Sequence, residues 1–112
     1  MKLPEGERAI VDLAKLRDYC LNPFHPRGRH QSRVFEPALR LVAADAEHLR
    51  RELLRAAREE EATPGDTDDY GHRYKIDFAL VHGERRATIR SAWIIPAGEQ
   101  APRLTSCYVL LD

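Results

Sequence analysis

Arg73-Tyr74-Lys75-Ile76-Asp77-Phe78-Ala79-Leu80 decides the fold. Tyr74, Ile76, Phe78 and Leu80 fall on one side and Arg73, Lys75 and Asp77 on the other. Successive side chains of a strand point to opposite faces, so this alternation predicts a strand with one face buried. Gly83-Glu84 follows as a hairpin turn. The chain then returns with Ala87, Ile89, Ser91, Trp93 and Ile95 on one face, opposite Thr88 and Arg90. Pro96-Ala97-Gly98 turns it again, and a last strand is expected from about Arg103 to Leu111. Sequential strands joined by short turns form an antiparallel meander.

Upstream the period changes. From Ala44 to about Glu60, Ala46, Leu49, Leu53, Ala56 and Ala57 make an apolar stripe at helical spacing, with Glu47 and Arg51 as an i,i+4 pair. Thr63-Pro64-Gly65-Asp66 breaks this helix. An earlier helix is expected from the cap Asp12 to about Leu21, burying Leu13, Leu16 and Cys20, with Asn22-Pro23 as its stop. Ala9-Ile10-Val11 reads as a short edge strand. Another helix is expected from about Arg29 to Leu39, with Pro37 as a kink. Helices first and strands last predict an α+β domain, its N-terminal helices packed on a C-terminal antiparallel β-meander of three to four strands. The 112 residues fit one such domain, with its core over about residues 9–111.

Composition narrows the functional classes. Net charge is zero, which argues against a uniformly basic nucleic-acid binder, but the charges are segregated. Arg27, Arg29, Arg33 and Arg40 lie among His25, His30 and one acid, Glu36, whereas six acids and no base lie between Glu59 and Asp69. No apolar run approaches the ~20 residues that span a bilayer, and MKLPEGERA has no apolar leader segment, so no membrane partner and a cytoplasmic location are expected. Cys20 and Cys107 lack metal-site or redox-pair spacing and fit reduced thiols. No metal-binding or nucleotide-cradling motif occurs, so neither metal nor cofactor is expected.

The segment His25-Pro26-Arg27-Gly28-Arg29-His30-Gln31-Ser32-Arg33 carries the most distinctive chemistry. It is a proline-stiffened loop entering an expected helix, and helix N-termini favour anions. Imidazoles beside such an end can move protons near neutral pH. The plainer reading is a solvated basic loop. Arg103 and Thr105 are two apart on an expected strand, hence on one face with Cys107, where a guanidinium and a hydroxyl can stabilise a phosphorane-like transition state. An ordinary edge-strand pair is the plainer reading there. Trp93 is the single tryptophan, either core or a base-stacking platform. His72 and His82 read as exposed strand ends, and His48 as a solvated part of a charged helix face.

Three separated motifs occur in order. Lys15-Leu16-Arg17-Asp18-Tyr19 runs on through Leu21-Asn22-Pro23-Phe24-His25-Pro26-Arg27-Gly28. Tyr70-Gly71-His72-Arg73-Tyr74 is the second. Trp93-Ile94 with Pro102-Arg103-Leu104-Thr105-Ser106-Cys107-Tyr108 is the third. Together they resemble an uncharacterised bacterial domain family with the pattern K-L-x-x-Y-x-L-N-P-x-H-P-x-G-x-x-K-A-x-x-F. Related domains end contact-dependent inhibition and polymorphic toxins, or stand alone like toxins of toxin–antitoxin pairs. The element order is similar to that of the barnase–EndoU–colicin–RelE superfamily of metal-independent ribonucleases. The resemblance implies RNA cleavage by attack of the 2′-OH on its own phosphodiester, with RNA (tRNA among the candidates) as substrate and a small antitoxin or immunity protein as partner. It implies His25 or His30 as acid or base, Arg103 as phosphate clamp and Thr105 as hydrogen-bond donor. Substrate binding would fall to Arg27, Arg29, Arg33, Trp93 and Tyr108. One departure stands out: Gln31-Ser32 replaces the family's K-A, removing a candidate transition-state cation. A non-catalytic protein-binding module, or an inactive toxin homologue of the same fold, is the alternative.

Overall fold

The computed structural model describes residues 1–21 and 39–110. The loop Asn22–Gly28 and nearly all of the helix expected over Arg29–Leu39 lie outside that range.

A helical layer covers one face of a four-stranded antiparallel sheet of order β1-β2-β3-β4. The strands are β1 (Thr63–Asp68), β2 (Gly71–His82), β3 (Arg85–Pro96) and β4 (Arg103–Leu110). Their connectivity is the expected meander. Gly83-Glu84 is the two-residue turn that joins His82 to Arg85. Around Pro96-Ala97-Gly98, the Ala97 amide donates to the Tyr70 carbonyl (2.9 Å) and the Glu99 amide to Pro96 (2.9 Å).

The alternation holds. Ile76, Phe78, Leu80, Ile89, Ser91 and Trp93 are buried, while Lys75, Asp77 and Thr88 are exposed. Strand β1 is a departure, because Thr63–Asp68 continues past the helix break into an edge strand. All six of its residues are exposed, so no apolar period marks it. Pro64, Asp66 and Asp68 guard that edge as proline and charge usually do.

A second departure lies in β4. Trp93 pairs with Leu104, but Ala92 pairs with Ser106, so Thr105 is the extra residue of a β-bulge. The bulge resets the alternation. Leu104, Cys107 and Val109 point into the core, and Arg103, Thr105 and Tyr108 point outward. Cys107 therefore does not share a face with Arg103 and Thr105.

Helix α1 (Leu13–Lys15) begins at Asp12, whose side chain accepts from the Ala14 amide (2.9 Å). It runs into a π-turn, Leu16–Cys20, closed by the Leu21 amide on the Leu16 carbonyl (2.9 Å). Leu16 and Cys20 are buried. Helix α2 (Ala46–Glu59) buries all five stripe residues against the sheet. Glu47 takes Arg50 at i,i+3 (3.6 Å) rather than Arg51. Half-buried Arg55 lies 6.0 Å from the Phe78 ring centroid and also meets Glu52, Glu59 and Glu60. Ile10 makes a single parallel bridge to Arg103 instead of a full edge strand. Among the described residues, no helix is long and apolar enough to cross a membrane.

Leu49 and Leu53 are both 0% exposed at the helix–sheet interface. Leu49→Ala and Leu53→Ala should each cost about 2–5 kcal/mol, the transfer term plus a cavity. Urea melts of the variants check this, and a loss under ~0.5 kcal/mol would place the stripe on the wrong face.

Candidate functional site

The inward series Ile76, Phe78, Leu80 continues to His82, so the last inward side chain of β2 is an imidazole. It sits where the sheet meets the start of α2. Asp45 and His48 are three apart there and thus share one helical face. His82 Nδ1 lies 2.7 Å from the Leu39 carbonyl oxygen. A carbonyl can only accept, so Nδ1 carries the hydrogen and Nε2 is left for other chemistry. Nε2 is 3.9 Å from Asp45 Oδ1. Asp45 Oδ2 is held in turn by the Val42 amide (3.0 Å). The His48 ring lies 5.3 Å from that of His82, tilted by 38°. Its Nε2 is buried and has no hydrogen-bond partner among the described residues.

His82 also borders an open cleft of about 400 Å³ whose described lining is Arg40, His82, Gly83, Glu84 and Arg85. Arg40 has a left-handed backbone, φ 56°. Non-glycine residues rarely adopt that region, and where they do it is often at a functional site. Here it turns the chain between Leu39, whose carbonyl fixes His82, and buried Leu41. The cleft thus offers two guanidinium groups, one carboxylate and one oriented imidazole. Neither His82 nor His48 is the solvated side chain the sequence suggested. The available signal was parity: His82 extends the inward series, and His48 lies one turn after Asp45.

The residues expected from the sequence lie elsewhere. His25, His30, Arg27, Arg29 and Arg33 fall outside the described residues. Arg103 is exposed on β4 and pairs with Glu99 (3.0 Å). The Thr105 hydroxyl donates to the Ala92 carbonyl (3.1 Å). Arg103 pairs with Ile94, nine residues along β3 from Arg85, so it stands roughly 30 Å from the hairpin cleft at ~3.3 Å per residue. Neither His82 of the cleft nor its neighbour His48 reaches it. Trp93 is 0% exposed, and its Nε1–H donates to the Ser91 hydroxyl (2.9 Å). It is a core residue and offers no stacking face.

Tyr108 lies outward in a row with Arg90 and Asp77 across three strands. Asp77 grips Arg90 through two bonds of 2.8 Å. The guanidinium holds the Asp77 carboxyl below its ordinary range, and Asp77 raises Arg90. A depressed carboxyl contributes stability above its unfolded pKa, about 3.9, and that stability is lost as pH falls through the folded value. The pair is partly exposed, so solvent screens the attraction and this contribution is small.

Among the described residues, no three His, Cys, Asp or Glu side chains are grouped to hold a metal ion. No curated protein and no solved structure matches the chain. Residues 2–111 match the family described as a domain of unknown function, DUF6883, and the chain belongs to that family.

Proposed function

We propose that the protein is a metal-independent ribonuclease acting at the cleft beside the β2–β3 turn. The observation that carries this reading is His82, fixed at Nδ1 by the Leu39 carbonyl and bordering a cleft lined by Arg40 and Arg85. His82 Nε2 takes the proton of a ribose 2′-OH. The 2′-oxygen bonds to phosphorus, and Arg40 and Arg85 stabilise the added negative charge. The bond to the 5′-oxygen breaks, and an imidazolium returns a proton to that oxygen, with His25 and His30 as the candidates. The products are a 2′,3′-cyclic phosphate and a 5′-OH. The order of the three sequence motifs and their resemblance to toxin-tail domains support a toxin role, with a small antitoxin or immunity protein as partner.

The second reading is a non-catalytic protein-binding module. Zero net charge and Gln31 in the lysine position favour it. So do the internal partners of Arg103 and Thr105.

Incubation with total RNA and tRNA in EDTA tests the proposal. Cleavage should persist, spare DNA and leave cyclic ends. His82→Ala should lower the rate by ~100-fold or more, the scale of losing a general base, while the variant stays folded with a modestly lowered melting curve, since it also loses the bond to Leu39. If RNA stays intact, and Gln31→Lys restores no cutting, the binding module replaces the enzyme. If Arg103→Ala abolishes cutting while His82→Ala does not, the reaction belongs at the β4 end instead.

A further inference from the structure

The cleft beside the β2–β3 turn holds one charged group that the cleavage reaction does not use, the carboxylate of Glu84. Glu84 is exposed in the two-residue turn, separated from His82 by Gly83 and followed by Arg85. It lines the same cleft as Arg40, yet neither side chain has a hydrogen-bond or ion-pair partner among the described residues. Opposite charges that share a cleft without pairing are both open to one ligand. Between His82 and Glu84, a β-carbon added at Gly83 would meet nothing within 4 Å, so the space over the turn is clear. We infer that the cleft selects guanine, with Glu84 as the specificity-determining residue that accepts from the base while the guanidinium groups hold the phosphate; this rests on the ribonuclease reading of the same cleft.

The selection follows from the base edges. An ionised carboxylate only accepts, through two oxygens side by side. Its best partner is a pair of adjacent N–H donors pointing the same way. Guanine carries that pair on its Watson–Crick edge, N1–H beside the N2 amino group. Adenine sets the N1 lone pair beside its amino group, and cytosine sets N3 beside its own. Uracil has N3–H between two carbonyl oxygens. Each of these three turns a lone pair towards the second carboxylate oxygen, which costs binding instead of adding to it.

The cleft measures about 400 Å³, within the range of roughly 300–1,000 Å³ for small-ligand sites, and so suits a single nucleotide. His82 and Glu84 flank Gly83, and one nucleotide carries both the 2′-OH for His82 and the base for Glu84. Cut RNA should therefore end in guanosine 2′,3′-cyclic phosphate.

Isothermal titration of the full chain with guanosine, adenosine, cytidine and uridine 3′-monophosphates in EDTA tests this, with cleavage of total RNA measured on the same protein. Guanosine 3′-monophosphate should bind at least about 10-fold more tightly than each of the others, the scale of one two-bond base contact. Glu84→Gln replaces one acceptor oxygen with a donor amide at an exposed turn position, so the fold is kept. It should bring guanosine 3′-monophosphate down to the level of the other three and leave those unchanged. Equal binding of all four, binding of none, or a guanine preference that survives Glu84→Gln overturns the inference, and RNA cleavage then tells whether the ribonuclease reading stands without it. A guanine preference lost in Glu84→Gln upholds the guanine site, and intact RNA beside that result removes the ribonuclease reading alone.

Discussion

Trp93→Ala should cost about 3–5 kcal/mol, the range for emptying a large aromatic site in a core. The side chain is 0% exposed in the sheet–helix interface. It also anchors a buried relay: the indole N–H donates to Ser91 Oγ (2.9 Å), and the Ser91 hydroxyl donates to the Ile76 carbonyl (2.9 Å). Truncation removes the packing and leaves the Ser91 oxygen short of a donor. Trp93→Phe keeps most of the apolar area and loses the N–H, so it should cost only about 1–2 kcal/mol. Ser91→Ala strands the indole N–H and should cost about 1–3 kcal/mol. Urea melts read all three. Trp93 is the sole tryptophan, so fluorescence gives an independent check. Its emission should resist soluble quenchers and be unmoved by added RNA. A quenchable indole, or a loss below ~0.5 kcal/mol on truncation, would return Trp93 to the surface as a stacking platform.

Periodicity carried most of the fold. The stripe Ala46, Leu49, Leu53, Ala56, Ala57 and the alternation from Tyr74 to Leu80 each bury the face they predict, because one-sided burial writes its period into the sequence. Where no face is buried, nothing is written. Strand β1 is exposed at every position, so Thr63–Asp68 looked only like a helix break. The bulge at Thr105 was hidden for another reason. An inserted residue in β4 changes parity with no compositional mark, and it turns Arg103 and Thr105 away from Cys107. The site was harder still. The cluster of Asp45, His48, His82 and Arg40 joins a helix start to a hairpin end. Only the register of β2 against α2 assembles it, and no spacing along the chain announces that register. Motif order drew attention to Arg103, but strand length sets Arg103 and His82 at opposite ends of the sheet.

Gly71→Ala should cost on the order of 4 kcal/mol, from backbone strain and steric overlap together. Gly71 opens β2 inside the Tyr70–Tyr74 motif and pairs with Pro96 at the end of β3. Its φ is +145°, which side-chain-bearing residues seldom adopt. A β-carbon there would stand 2.1 Å from the Ile95 carbonyl oxygen and 2.9 Å from Pro96 Cα. Both are backbone atoms, so neither can swing aside. The neighbouring bonds leave little slack: the Tyr70 amide donates to Asp68 (2.9 Å), and the Tyr70 carbonyl accepts from Ala97 (2.9 Å). Moving Gly71 therefore disturbs the β1–β2 turn and the β3 exit at once. Gly98→Ala separates the two contributions. Gly98 has φ +80°, but a methyl group added there would meet nothing within 4 Å. It should therefore show the strain alone, about 1 kcal/mol. Urea melts of both variants give the comparison. Equal, small losses would mean that the close approach of Ile95 relaxes freely; a Gly71→Ala loss several times larger fixes that contact as the reason for glycine at the head of β2.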